Sequence, residues 1–176
     1  MNDKQEVIHG HVIAEILPES GEFPNNPNLP VLVYKGSLFL HPEDEPGKIL
    51  EIFDRNGWRN GWEGGIQDVH HYHRNTHEVL GVFCGTVDLQ LGGPEGICVE
   101  LGRGDAVVIP AGVAHKNINS SSDFLCAGAY PDGRDYDMNY GKEGDQDTIV
   151  AEISGVPIPV NDPLFGNAGP LPEHWR

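Results

Sequence analysis

Basic residues are scarce in this chain: 11 Lys and Arg stand against 27 Asp and Glu, for a formal net charge of −16. A surface this acidic repels phosphate backbones and anionic lipid, and no basic cluster offsets it. Nucleic acid and membrane are therefore excluded as expected partners. Long apolar runs are missing too: none approaches the ~20 residues a helix needs to cross a bilayer. The start, Met1 to Glu6, is polar and lacks the apolar stretch of a secretory leader, so a cytoplasmic location is expected. Cysteine is limited to Cys84, Cys98 and Cys126, with no CxxC pair. An odd number at wide spacing, each among apolar neighbours, reads as reduced buried thiols rather than a disulfide framework.

Apolar positions at helical spacing are scarce as well, whereas turn residues are abundant, with 23 Gly and 14 Pro in 176 residues. That balance points to an all-β sandwich or barrel. The length fits one domain over 1–176, with the barrel core at about 31–130 and both ends wrapping it. Residues 7–17 and 31–34 have strand character, and 37–40 can continue the second run. Further strands are expected at 66–73, 78–85, 86–91, 97–101, 105–109, 113–118 and 123–130. Gly92 to Gly96 and Gly102 to Asp105 are the hairpin turns between them. One helix is expected at 45–55, with Pro46 in its first turn, Ile49, Leu50, Ile52 and Phe53 as its apolar stripe, and Asn56-Gly57 as its stop. From Tyr130 onward an extended wrap is expected, with one strand near 147–153.

Two spaced patterns carry the chemistry. The first is Gly65, five residues, His71-Tyr72-His73, four residues, Glu78, six residues, Gly85; the second is Gly104, five residues, Pro110-Ala111-Gly112, two residues, His115, three residues, Asn119. Strand side chains alternate faces, so His71 and His73 point one way and Tyr72 the other. Glu78 shares a face with Leu80, Val82 and Cys84, and a carboxylate turned inward among such neighbours needs a cation or a proton. Pro110-Ala111-Gly112 re-aims the chain so that His115 can return to the same place. These four residues form a ligand set for one divalent transition metal. By the same alternation His70 points away, while His77 competes as a ligand or as a group beside the ligands.

At these residues the chain resembles the cupin superfamily, whose two signature motifs are matched at every fixed position. A narrower resemblance runs through Thr76 to Val82, Val108 to Asn117, Gly128 to Gly133, Asp135 to Gly141, Asp162 to Gly166 and Gly169 to Leu171. It is to the YjlB-type bacterial cupins. The resemblance implies a single-domain cupin β-barrel, or jelly roll, often dimeric, and so a homodimer is the expected partner state. It implies the metal ligands His71, His73, Glu78 and His115, and no particular reaction.

Three imidazoles and one carboxylate suit Fe(II), Mn(II), Ni(II), Co(II) or Zn(II) better than Ca(II) or Mg(II), which prefer all-oxygen shells. The expected function is a metal-dependent enzyme on a small polar organic substrate, with dioxygenase chemistry favoured. Isomerase or lyase chemistry, a ligand-binding protein without turnover, and a dimeric partner with a vestigial site are the alternatives. Glu78, His77 and Tyr130 are the expected proton-handling residues. Asn117, with the parity of His115, and Trp62 are the expected substrate contacts.

Overall fold

The computed structural model describes residues 5–141 and 143–176. Among the described residues nine strands carry the fold: β1 (His11–Glu15), β2 (Val31–Lys35), β3 (Trp58–Gly64), β4 (Glu78–Cys84), β5 (Thr86–Leu91), β6 (Ile97–Gly102), β7 (Ala106–Ile109), β8 (His115–Ser120) and β9 (Leu125–Pro131). Three helices accompany them: α1 (Gly47–Arg55), α2 (Gln146–Ser154) and α3 (Pro170–His174). All strand pairings are antiparallel, in a six-stranded sheet ordered β1-β2-β7-β4-β9-β3 and a three-stranded sheet ordered β6-β5-β8. This is the all-β jelly roll that the turn-rich sequence implies.

The burial pattern of each strand follows from what covers it. In β5, Val87, Leu89 and Leu91 point inward while Thr86, Asp88 and Gln90 do not, as expected for a sheet with one wet face. The apolar runs of β2 and β7 are buried throughout because the larger sheet is covered on both sides. Val31, Val33, Val107 and Ile109 face the smaller sheet, packing with Leu80, Leu89 and Leu101. Leu32, Tyr34 and Val108 face outward onto Ile49, Ile52 and Phe53 of α1 and onto Leu164, Leu171 and Trp175 near the end of the chain.

That terminal segment wraps the barrel through specific polar anchors. Asp162 is fully buried, and its carboxylate accepts the Tyr34 hydroxyl at 2.6 Å and the backbone amides of Leu164, Phe165 and Leu171 at 2.8, 3.0 and 3.1 Å. Trp175 Nε1 donates to the Pro30 carbonyl at 2.9 Å.

Four local expectations are corrected. Residues 147–153 are helical, within α2, because the Asp145 side chain caps the first turn by accepting the Thr148 amide at 3.0 Å. Ile149 and Ile153, one turn apart, then bury against Ala111 and Val156. Residues 66–73 form no strand; they make only isolated bridges, His71 to His115 and Tyr72 to Asn139. Residues 37–40 likewise make only the Leu38 bridge to Val7. The strand beside β9 is instead β3, whose Gly-Trp-Arg-Asn-Gly-Trp stretch carries no clean alternation and is bulged between Arg59 and Trp62. Of the thiols, Cys126 is buried, Cys84 is half-buried and Cys98 is exposed. Among the described residues, no helix is long and apolar enough to cross a membrane.

Candidate metal centre

The side chains of His73, Glu78 and His115 converge inside the barrel, with one potential ligand atom of each lying within 4.8 Å of the others. Glu78 opens β4, in register with Ile109 at the end of β7, and His115 opens β8. The chain between β7 and β8 must therefore turn sharply. Gly112 does this at φ 90°, where a side chain would be strained and a Cβ would lie 2.4 Å from the Asn25 carbonyl.

The turn is clamped by its neighbours. Gly112 N donates to the His73 carbonyl at 2.7 Å, Asn26 Nδ2 to the Ala111 carbonyl at 3.0 Å, and Ala114 N to Asn25 Oδ1 at 3.1 Å. The Pro/Asn-rich loop ahead of β2 is thus a support for the ligand-bearing turn, a role its composition did not reveal. His71 and His115 exchange two backbone hydrogen bonds, of 3.2 and 2.9 Å, which place their rings 4.1 Å apart.

Each imidazole is oriented in the same way. Nδ1 of His71 lies 2.8 Å from the Val69 carbonyl, Nδ1 of His73 lies 2.5 Å from that of Asp137, and Nδ1 of His115 lies 3.1 Å from that of Val113. A carbonyl can only accept, so every Nδ1 carries a proton, and in the neutral ring every Nε2 presents a lone pair. Two of those lone pairs face Glu78 Oε1, from His73 at 3.6 Å and from His115 at 3.4 Å. His115 Nε2 is buried without a hydrogen-bond partner. Fixed Nε2 tautomers, an unsatisfied buried nitrogen and a buried carboxylate are what a divalent ion requires of its ligands and their supports, so the residues fit such an ion.

The electrostatics differ from ring to ring. Burial, followed by the neighbouring His115, pushes His71 down to about 3, so its ring is a neutral donor. Burial alone would raise Glu78, but the His115 and His73 rings beside it hold it below the ordinary carboxylate value. Burial would lower His73, but Glu78 outweighs it and holds the ring above its usual range. His71 lines the same cavity yet stands outside the tight three-residue cluster, with its ring 6.2 Å from that of His73.

The cavity has a volume of about 180 Å³. Tyr130 and Trp62 both line it, and Trp62 Nε1 donates to the Tyr130 hydroxyl at 3.0 Å. Burial, followed by the nearby Glu78 carboxylate, pushes the Tyr130 hydroxyl far up, so it keeps its proton. Two expected contributors lie elsewhere. Asn117 does not line the cavity: its amide donates to Ser120 Oγ at 3.1 Å along β8, although in the register with β5 it stands opposite Leu89 as His115 stands opposite Leu91. His77 is fully buried on the far side of β4, with Nδ1 accepting the Ala111 amide at 2.8 Å and Nε2 donating to the Pro157 carbonyl at 3.2 Å. Both nitrogens are used, so His77 is a strut and not a proton shuttle.

His70 points away from the metal residues and packs on Phe23, ring centroids 5.3 Å apart. Gln67, Tyr136 and Met138 line the cavity without having been singled out in the sequence. Tyr136 stands between Asp135 and Asp137, and only its aromaticity among acidic neighbours marked it.

Comparison with known proteins agrees with this geometry. The Cupin domain family matches residues 62–126. The uncharacterized protein YjlB of Bacillus subtilis (strain 168) is 43% identical over 158 residues, covering 90% of this chain and 93% of its own length. Solved structures overlap more loosely. Acireductone dioxygenase from Bacillus anthracis, with cadmium in its active centre, has a TM-score of 0.37 at 17% identity, over 47% of this chain and 57% of that one. The 4-keto-6-deoxy sugar epimerase NovW of Streptomyces spheroides has a TM-score of 0.40 at 14% identity, over 76% and 74%. By its fold, its ligand pattern and its close relative, the chain belongs to the cupin superfamily, among the YjlB-type proteins.

Proposed function

We propose that this protein is a metal-dependent enzyme acting on a small organic molecule, with dioxygenase-type chemistry ahead of isomerase or lyase chemistry. The observation that carries the reading is the unpartnered Nε2 of buried His115, aimed with His73 at Glu78 inside a cavity. His73, Glu78 and His115 would hold one divalent ion, with His71 as the fourth ligand. The N/O donor set suits Fe, Mn, Ni, Co or Zn. Such an ion would supply Lewis acidity and, if redox-active, electrons to O2.

The chain's own groups supply the proton handling. Tyr130 holds its proton at a hydroxyl whose lone pair is occupied by Trp62 Nε1–H, so that proton is directed toward Glu78 or toward a substrate oxygen placed beside it. The Nδ1–H bonds to Val69, Asp137 and Val113 fix the three rings with Nε2 available for the ion. Ile66 and Leu80 line the same cavity and limit its water.

The test begins with metal analysis of protein purified without chelator, beside His115→Ala. About one ion per wild-type chain and its loss in the variant are expected; full retention by a folded His115→Ala would sink the ligand assignment. Oxygen uptake by Fe(II)-loaded protein, against a panel of β-diketones, catechols and thiol acids, then separates oxidative turnover from binding alone.

A further inference from the structure

We propose that the cavity selects a flat, conjugated chelator that is uncharged in solution, and that Tyr136 is the residue that sets this selection; the inference rests on the metal-centre reading above. An aromatic wall runs unbroken from the interior to the mouth. The Trp62 indole lies directly on Gly128, where a Cβ would meet it at 2.4 Å, and is fixed by its bond to Tyr130. The Tyr130 ring stacks on Tyr136 with centroids 4.7 Å apart and planes 21° from parallel. Tyr136 in turn meets the His73 ring edge-on at 5.3 Å.

Tyr136 therefore joins the wall to His73 at closer range than Tyr130, whose ring meets the same histidine edge-on at 6.1 Å. It is also 45% exposed, where Tyr130 is 1% exposed, so it stands at the opening and not in the core. A planar ligand held at His73, Glu78 and His115 would have to pass and lie against it. Stacked and edge-to-face rings favour such a partner beyond the area they bury.

The rest of the lining points the same way. Ile66, Leu80 and Met138 are apolar, and Gln67 offers hydrogen bonds without charge. Among the described residues, no Lys or Arg lines the cavity. A carboxylate or phosphate beyond what the metal neutralises would be desolvated there with no partner. The wall thus favours an aromatic or enediol-like pair of adjacent oxygens over an aliphatic dianion.

The experiment uses protein loaded with Zn(II), which binds chelators without consuming them. Calorimetric titration with 2,3-dihydroxynaphthalene is compared with titration by malonate, for wild type, Tyr136→Ala and Tyr136→Phe. The planar diol is expected to bind one per chain and at least tenfold more tightly than malonate. Tyr136→Ala should lose about tenfold in affinity for the diol and leave malonate unchanged, while Tyr136→Phe stays close to wild type. Equal affinity of wild type and Tyr136→Ala for the diol, or tighter binding of malonate, overturns the inference. Zinc content of the same samples distinguishes the failures. One zinc per chain without diol selectivity overturns this inference alone, whereas no bound zinc overturns the metal centre and the inference together.

Discussion

The Ala111 amide donates to His77 Nδ1 at 2.8 Å, tying the start of β4 to the turn that delivers His115. His77 also donates to Pro157 and packs edge-on against Trp175 at 4.7 Å, so one ring joins the ligand-bearing turn to the terminal wrap. In His77→Ala the Ala111 amide is left buried and unpaired, and the ring's packing is lost. A destabilisation of about 2–4 kcal/mol is expected, read as a lower urea midpoint at unchanged slope. Metal affinity should fall only in part, because no ligand is removed. Complete loss of metal from a folded His77→Ala would instead make His77 a ligand.

Much of this was legible in the sequence, and the exceptions have physical causes. His71 and His73 share a face with Tyr72 opposite, as alternation requires, and Glu78 and Leu80 both turn into the cavity. The spaced patterns are legible because each fixed position serves a steric or coordinating need that few residue types meet. Asn117 was misplaced although its parity with His115 holds, because alternation does not fix where a side chain ends and the amide turns along the strand to Ser120. Residues 147–153 misled because Ile149, Val150 and Ile153 suit a strand as well as a short helix, and the deciding signal was the cap Asp145. β3 was missed because its residues alternate poorly and pair only at one edge of the sheet. Tyr136 could not be placed, since only tertiary packing brings its loop over His73.

The four-residue ligand set should prove unequal. His73 and His115 belong to the compact cluster with Glu78, while His71 stands apart from it. His73→Ala and His115→Ala are expected to abolish stoichiometric metal. His71→Ala should weaken affinity by roughly 10–100-fold and still bind when metal is in excess. Competition against a coloured chelator measures this, and equal loss in all three variants would contradict the ranking.

Asp162 is the anchor of the terminal wrap, with four donors converging on one buried carboxylate. Asp162→Ala strands the Tyr34 hydroxyl and three backbone amides, at an expected cost of about 3–5 kcal/mol. Tyr34→Phe removes one donor and leaves the carboxylate three others, so it should cost less, about 1–3 kcal/mol. Equilibrium unfolding of the two variants tests the order.

Burial, with some help from Glu78, pushes the Cys126 thiol up to about 12, from an ordinary 9.0. At pH 8 a thiol reagent should modify Cys98 in the native protein and leave Cys126 untouched until unfolding. The same shift fixes the sign of a pH effect. The folded state holds the proton more tightly, so this stability is fully present below pH 9 and lost as pH rises toward 12. The loss runs at about 1.4 kcal/mol per pH unit. Between pH 9 and 10.5 the wild type should therefore lose about 2 kcal/mol more than Cys126→Ala, measured by urea unfolding.

Gly128 is where the aromatic wall meets the sheet. It lies in register with Trp62 of β3 and Leu80 of β4, and a Cβ there would sit 2.4–2.5 Å from three indole atoms. The Trp62 indole is rigid, so it cannot yield as a flexible chain end would; it must rotate away as a unit. Gly128→Ala is therefore expected to break the bond from Trp62 Nε1 to Tyr130, at a stability cost of about 1–3 kcal/mol from overpacking. The change should appear as a shift in tryptophan emission and in near-ultraviolet circular dichroism. Metal content should be unchanged, because His73, Glu78 and His115 do not rest on Trp62. Freed from Trp62, the Tyr130 hydroxyl regains an acceptor site and can turn from Glu78, so turnover should fall further than substrate affinity. If emission, dichroism and turnover all match wild type, Trp62 does not hold Tyr130 in place.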